Sequence, residues 1–391
     1  MKQHHWTLAL ASVGLVSLGS LTHAEEQAMS QVLTSVSSTT LSGYVSAGAG
    51  WKLGGTGETG MNMPGRFNDD IDKMQGFNLN VAAISVGKAL SDEDLWAAGY
   101  QVDLLFGPDA VAYNPVLGGA NAEVAIKQAY VNLLVPVGNG LDVKVGVQNT
   151  IIGYEGFDVY ANPNFGISYG WQIEPTQQTG VTGSYQITEA ISFTGGVANT
   201  HIAGVNTRGP NDKGYLAFLG ALSVTAPDSW GALSGSSFTV GAVGGDLAGN
   251  GGPATYANNF YAGFNLLTGL EGFSVGGAFD YQDTASESYV WALAGYASFA
   301  ATEKITLNAR LDYTRGSDGI WSSAGLNTGG LTVNDKADEL FAVTGTLDYQ
   351  LWANVLTRLE LRWDTALDDS RPFGREDDNA ITLMANMVYM F

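Results

Sequence analysis

The stretch NAITLMANMVYMF (residues 379–391) closes the chain with a regular alternation of side-chain character. A period of two residues is typical of a β-strand with one buried face. The last residues of a soluble protein usually fray in water unless another element holds them. The pattern therefore predicts a terminal strand whose apolar face is covered, and that face carries Ile381, Leu383, Ala385, Met387, Tyr389 and Phe391.

The same period of two runs through the rest of the chain. ITLNARLDYT (residues 305–314) and VLTRLELRWD (residues 355–364) each separate most of their apolar and polar residues onto two faces. No comparable stretch follows the 3.6-residue period of an amphipathic helix. The sequence therefore predicts an all-β protein with sixteen strands, near residues 40–53, 76–89, 95–107, 123–136, 141–149, 176–187, 190–203, 214–226, 236–247, 256–268, 272–283, 287–300, 304–316, 337–350, 354–366 and 379–391.

The links between these segments alternate in length. Short links such as SDED (residues 91–94) and VGNG (residues 137–140) alternate with mostly long ones such as 54–75 and 150–175. An even number of strands, short turns at one end and long loops at the other are typical of an outer-membrane barrel. In lipid every backbone polar group needs a partner within the protein, so strands cross only as closed barrels. We expect a transmembrane up-and-down antiparallel β-barrel in which the last strand pairs with the first.

Composition narrows the classes of function. Only 14% of the 391 residues are charged, yet the formal net charge is −21. Nucleic-acid binding needs Lys and Arg to contact the phosphates, so nucleic acid is not an expected partner. Cysteine is absent, which excludes a disulfide framework and thiolate metal sites.

The N-terminus has the pattern of a secretory signal peptide. A short basic start precedes the apolar run WTLALASVGLVSLGSL (residues 6–21), and Thr22 and Ala24 are small residues at the cleavage positions. The expected location is therefore the outer membrane of a Gram-negative bacterium, reached through the general secretory route. We expect three regions: a signal peptide at 1–24, a periplasmic lead-in at 25–38 and the barrel at 39–391.

Residues that could carry catalysis are scarce in the mature chain. Of four histidines only His201 remains once the signal peptide is removed. A hydrolase triad would have to use His201 as its base, as barrel lipases do. No serine stands in a recognisable nucleophile motif beside it. We expect no enzymatic activity, no cofactor and no metal site.

The strongest functional feature is the link TIIGYEGFDVYANPNFGISYGWQIEP (residues 150–175), which is rich in Gly, Asn and aromatic residues. Loops of this length are usually functional. We expect it to fold inward and narrow the lumen, so that Glu155, Asp158 and Glu174 place negative charge in the channel. By strand parity the basic residues facing the lumen from the wall are Lys88, Lys144, Arg310, Arg358 and Arg362.

Two arrangements of these charges are open. Acids on the loop opposite bases on the wall would create a transverse field that selects ions and orients dipolar solutes. Alternatively, the bases pair locally with acids on their own strands, as Arg310 would with Asp312 and Arg362 with Asp364. The sequence alone does not choose between them.

A barrel of sixteen strands leaves a water channel, so we expect a porin that passes small hydrophilic solutes and ions by passive diffusion. The acidic residues of the loop and lumen predict a preference for cations. The alternatives are a solute-specific channel and a structural or adhesive barrel with a blocked lumen. Expected partners besides the solutes are outer-membrane lipid, lipopolysaccharide and the barrel-assembly machinery, which would read the strand ending in Phe391. Assembly as a homotrimer is left open.

Short motifs add a family resemblance. Gly153-Tyr154-Glu155, Asn162-Pro163, Ser168-Tyr169 and Thr179-Gly180-Val181 occur in this order around the long loop. With them, residues 40–391 resemble the β-barrel porin family often called OmpL-like. The resemblance implies an outer-membrane barrel and passive transport, and it implies no catalytic residues or particular solute. GWQIEPTQQTG (residues 170–180) departs from the more apolar pattern of the family, so the packing of this loop does not follow from the resemblance.

Overall fold

The computed structural model describes most of the predicted barrel. The predicted signal peptide and lead-in, at 1–24 and 25–38, lie outside the described residues. The described ranges are 39–53, 75–91, 95–113, 123–208, 216–246, 256–284, 288–317, 321, 337–373 and 377–391.

Sixteen strands form one closed antiparallel barrel within these ranges, as the sequence predicted. Each strand pairs with its neighbours in sequence, and β16 pairs with β1 to close the sheet. The strands are β1 (Thr40–Leu53), β2 (Gly76–Lys88), β3 (Ala97–Phe106), β4 (Val124–Val135), β5 (Leu141–Asn149), β6 (Gln177–Gln186), β7 (Ile191–Ala198), β8 (Ala217–Thr225), β9 (Ser237–Asp246), β10 (Tyr256–Leu267), β11 (Phe273–Thr284), β12 (Tyr289–Ala300), β13 (Ile305–Gly316), β14 (Glu339–Trp352), β15 (Val355–Ala366) and β16 (Asn379–Met390).

The two faces of the sheet differ as the alternation predicted. On β13 the inward Arg310 and Asp312 are almost fully buried, whereas the outward Leu307 and Leu311 are about half exposed. Successive side chains of a strand point to opposite faces, so this contrast repeats along the strand. The outward face is therefore an apolar surface suited to lipid, and the protein core lies inside the barrel.

The chain terminus is part of the barrel seam. The Phe391 N–H donates to the Gly43 carbonyl at 2.9 Å, and the Gly43 N–H donates back to the Phe391 carbonyl at 2.9 Å. Gly43 needs to be small here, because an added Cβ would lie 2.7 Å from the ring of Phe391. The terminal strand thus has partners on both edges, β15 and β1, and leaves no open sheet edge.

One irregularity changes which side chains of β2 face inward. The β1–β2 register shifts between Ser46 and Ala47, so that Val81 and Leu79 face these residues and Asn80 is an extra residue. A β-bulge of this kind exchanges the two faces of the strand beyond it. Before the bulge the odd-numbered residues of β2 point outward, and after it the even-numbered residues do.

Helical structure is confined to the connections. A 3₁₀ turn at Pro108–Tyr113 follows β3 and is largely buried, whereas a second at Asp228–Leu233 is exposed between β8 and β9. The link from β5 to β6 (residues 150–176), called the β5–β6 loop below, holds a 3₁₀ turn at Val159–Ala161 and a short helix, α1, at Tyr169–Ile173. Within the described ranges, no helix has the length and apolarity needed to cross a membrane.

Candidate channel constriction

The β5–β6 loop is shaped by its own backbone before it meets the wall. Gly153 has φ +117°, a conformation that favours glycine, and it turns the chain soon after β5. Ser168 caps α1, because its Oγ accepts the Trp171 N–H at 3.2 Å. Glu155 joins the two halves of the loop, since its Oε2 accepts the Ser168 N–H at 2.7 Å.

Three apolar clusters pack the loop against inward-facing side chains. The first lies against β1–β4 and β16 and contains the loop residues Phe157, Val159, Phe165, Ile167 and Trp171. The second lies against β7–β12 and contains Ile151, Ile152 and Tyr154. The third lies against β12, β14 and β16 and contains Tyr169 and Ile173. The loop therefore contacts the wall on several sides.

Arg310 is the most heavily bonded side chain of the wall. Its Nη1 donates to Glu155 Oε1 at 2.7 Å and to the Gly166 carbonyl at 2.6 Å, and its Nη2 donates to the Ile167 carbonyl at 3.0 Å. Its Nε donates to Asp312 Oδ2 at 2.6 Å. The guanidinium is completely buried, so these bonds replace its hydration. It binds the loop and the strand at once.

Two arginines of β15 repeat this arrangement. Arg358 donates to the Val159 carbonyl and, at 2.6 Å, to the Asn162 carbonyl, while its Nε lies 2.9 Å from Asp348 Oδ1. Arg362 donates to the Ile167 carbonyl at 2.5 Å and pairs with Asp364 at 2.8 Å. Each guanidinium thus uses one edge for a carboxylate of the wall and another for backbone carbonyls of the loop.

The wall also accepts hydrogen bonds from the loop. Glu360 is buried between the two arginines of β15, and its two carboxylate oxygens accept the N–H groups of Phe165 at 2.7 Å and Gly166 at 2.8 Å. The Tyr169 hydroxyl donates to Asp364 Oδ1 at 2.6 Å. Burial raises the pKa of Tyr169 well above its usual range, and Asp364 adds to the rise, so the hydroxyl keeps its proton.

On the opposite side the loop meets β1 and β4. Asp158 lies between them: its Oδ2 is 2.5 Å from Lys127 Nζ, and its Oδ1 accepts the Tyr44 hydroxyl at 3.1 Å. Lys127 sits at a β-bulge, since the β3–β4 register shifts beside it. The loop is therefore tied to opposite parts of the barrel.

A small cleft of about 30 Å³ remains between the loop and the β4–β5 wall. Acidic, amide and aromatic side chains share its lining with one lysine. The lining includes Glu155, Asp158 and Glu174 from the loop, together with Tyr113, Lys127 and Asn149. The three acids that the sequence placed in the channel thus border one cavity.

The structure places four of the five predicted wall bases inward: Lys144, Arg310, Arg358 and Arg362. The prediction for Lys88 is wrong, because the bulge at Asn80 exchanges the faces of β2. Lys88 is paired with Tyr100, which is paired with the outward Val131. Paired residues of neighbouring strands share a face, so Lys88 points outward near the short-turn end.

The inward bases do not stand opposite the loop acids across open water. Arg310 touches Glu155 directly, and it also pairs with Asp312 on its own strand. Of the two arrangements considered from the sequence, Arg310 shows the local pairing with Asp312, and it adds a direct bond to the loop acid Glu155. Lys144 differs, because its Nζ lies over the Tyr130 ring at 5.1 Å and contacts no loop acid within ion-pair distance in the described chain.

His201 is placed far from a hydrolase arrangement. Its Nε2 lies 2.7 Å from Asn259 Oδ1, an amide oxygen rather than a serine hydroxyl or a carboxylate. Burial lowers the pKa of His201, which favours the neutral ring. Within the described residues, no group of three His, Cys, Asp or Glu side chains is arranged to hold a metal ion.

Sequence reasoning missed three groups that hold the loop: Tyr44, Lys127 and Glu360. Glu360 binds loop backbone, and the alternation of β15 predicts only that it faces inward. The inward position of Lys127 could have been predicted, because the alternation of VAIKQAYVNLLV (residues 124–135) changes phase at that residue. The contact of Tyr44 could not have been predicted from the local pattern, since its partner Asp158 lies 114 residues away in sequence.

A closed sixteen-stranded barrel with an apolar outer face and a loop bound within it has the architecture of an outer-membrane porin. The family comparison agrees with that class. The chain belongs to the family described as "Putative beta-barrel porin-2, OmpL-like", whose model matches residues 38–391. The resemblance noted from the loop motifs is thereby confirmed. No curated protein matches the chain significantly.

Solved porin structures share the fold at low sequence identity. Salmonella typhi OmpF in complex with daunomycin has a TM-score of 0.60 at 12% identity, covering 90% of this chain and 97% of that one. An anion-selective porin from Comamonas acidovorans has a TM-score of 0.58 at 11% identity, covering 90% and 99%. The trimer form of in-vitro folded Vibrio cholerae OmpT has a TM-score of 0.54 at 11% identity, also covering 90% and 99%.

Proposed function

We propose that the protein is a diffusion porin that prefers cations and whose lumen is narrowed by the β5–β6 loop. The observation that carries this proposal is the balance of inward charge. The arginines of the wall are consumed by bonds to the loop and to neighbouring acids. The inward Asp103 and Asp142 have no cation within ion-pair distance in the described part of the chain. Acids in a channel that form no ion pair attract cations.

The side of the lumen away from the arginines is the expected path. In the half of the barrel near the short turns, several inward residues of β5–β9 are partly exposed. They include Lys144, Ser184, Ser192, Ser223 and Thr239. A surface lined mainly by hydroxyl groups suits small hydrophilic solutes without binding any one of them tightly. This favours diffusion over a solute-specific channel, for which conductance would be blocked by one solute.

Planar-bilayer recording with purified protein tests the selectivity. Under a KCl gradient the reversal potential should favour potassium, and the double variant Asp103→Asn/Asp142→Asn should favour it less. Asp228→Asn, in the exposed turn between β8 and β9, is the matched control and should behave as the wild type. A reversal potential that favours chloride in the wild type would refute the cation preference.

A blocked structural or adhesive barrel is the second candidate. It is favoured by the three apolar clusters that pack the loop against several sides of the wall. This candidate would be supported if the wild-type protein carried no current in a bilayer, whereas a variant whose loop has lost its bonds to Arg310 did conduct.

We also propose the route by which the protein reaches its membrane. Residues 1–24 would be cleaved as a signal peptide after general secretory export, leaving 25–38 as a periplasmic lead-in before the barrel. The assembly machinery would recognise β16, whose end at Phe391 pairs with Gly43. Lipopolysaccharide contact and a homotrimer complete the proposal; the trimer form of the similar OmpT supports the latter.

A further inference from the structure

One contact between the β5–β6 loop and the wall joins two acids. Glu174 directly follows α1, and Asp280 is an inward residue of β11. Their carboxyl groups are hydrogen-bonded to each other. Asp280 is 2% exposed, whereas Glu174 is partly exposed and borders the cleft of about 30 Å³. A hydrogen bond between two carboxyl groups requires one proton, which the cleft can exchange with water.

Among the described residues, the charged groups that act on this pair are acids. Glu155 acts electrostatically on both members of the pair and is itself bonded to Arg310. The Tyr261 hydroxyl of β10 and the Tyr154 hydroxyl of the loop face the same region and are neutral. Burial, then Asp280 and then Glu155 raise the pKa of Glu174 well above its usual range. The shared proton is therefore retained to a higher pH than an exposed carboxyl would allow.

Besides this pair, neutral hydrogen bonds attach the loop end to β10 and β11. The Ile173 carbonyl accepts hydrogen bonds from Asn259 Nδ2 at 2.7 Å and from Gln282 Nε2 at 3.0 Å. Gly153 and Gly170 enclose the carboxyl pair, and a Cβ at either would overlap an oxygen of Glu174 or of Asp280. The loop backbone thus packs closely on both carboxyl groups, so a repulsion between them acts on the loop end.

We propose that Glu174 and Asp280 are positioning residues that form a proton-dependent latch between the β5–β6 loop and β11. With one shared proton, the loop end is held on the wall and the cleft is narrow. Once that proton is lost, two adjacent carboxylates repel, α1 leaves β11 and the cleft widens. The consequence for transport rests on the proposed diffusion function.

Single-channel conductance between about pH 5 and pH 9 tests the latch. Wild-type conductance should rise toward the alkaline end, where the stabilising proton is lost. In Glu174→Gln the amide donates to the ionised Asp280 without needing a proton, so the alkaline rise should disappear. Asp228→Asn is the control and should keep the wild-type profile.

Hydrogen exchange of residues 169–176, corrected for the intrinsic rate, separates the latch from the transport proposal. Faster exchange at alkaline pH in the wild type and not in Glu174→Gln supports the latch even if the barrel carries no current. Equal exchange in the two proteins, or a conductance profile that Glu174→Gln leaves unchanged, overturns it. If the barrel carried no current but the hydrogen exchange of the loop still depended on pH, only the diffusion function would be refuted.

Discussion

The β13–β15 wall and the β7–β9 wall use opposite means to shape the same lumen. The first carries buried ionic side chains, which bind both N–H and carbonyl groups of the β5–β6 loop. The second shows the lumen no ionisable side chain in its described residues, and it presents small residues such as Ser192, Gly196 and Ala221. One wall bonds the loop through charged side chains, whereas the other packs against Ile151, Ile152 and Tyr154 through small apolar residues and is partly exposed only near the short turns.

The contrast between the two walls indicates that the buried arginines hold the loop in place. A buried charge is stable only where hydrogen bonds and counter-charges replace its hydration. Arg310 has that replacement because loop carbonyls and two carboxylates reach it. The charged wall is therefore an anchor for the loop. We expect ion selection to depend instead on inward acids that form no ion pair.

Arg310→Ala is expected to have the largest effect, because it breaks the anchor of the charged wall. Glu155 and Asp312 would be left buried without their shared counter-charge. Removal of one partner from a buried pair costs about 3–5 kcal/mol. The melting temperature in detergent should fall, and the released loop should raise single-channel conductance. Lys144→Ala, which removes an inward cation that holds no loop acid, is the control; equal behaviour of the two variants would contradict the anchor.

Glu360→Gln should have an intermediate effect on the same wall. The carboxylate accepts two loop N–H groups, and an amide can accept only one while its NH₂ faces the other donor. An unsatisfied buried group costs about 1–3 kcal/mol. Chemical denaturation in detergent should show this loss of stability. Glu189→Gln, in the exposed β6–β7 turn, should leave the free energy of unfolding unchanged. A stability equal to the wild type would show that these N–H bonds do not hold the loop.

Ser192→Arg should have the smallest effect on stability and a measurable one on selectivity. No loop carbonyl among the described contacts reaches this side chain, so the new guanidinium would stay hydrated in the lumen. A surface substitution of this kind changes stability by about 0.5 kcal/mol or less. The reversal potential under a KCl gradient should move toward chloride, and Ser192→Gln should leave it in place. A large loss of stability would mean that the lumen beside Ser192 is packed rather than open.

The strands were predictable because their signal is local. Alternation in residues 305–314 and 355–364 places Arg310, Arg358 and Arg362 inward, and the structure agrees. The same rule failed at Lys88, because one extra residue at Asn80 inverts the phase and nothing in the local pattern marks it. Sequence also marked the β5–β6 loop by its length and by its acids.

Sequence by itself determined the class of the protein, since a period of two repeated sixteen times has one stable outcome in lipid, a closed barrel. Tertiary structure alone decided what the inward charges do. Arg310 and Glu155 stand 155 positions apart, and Arg358 and Val159 stand 199 apart. Contacts over such separations depend on where a folded wall places each guanidinium, which no local pattern encodes.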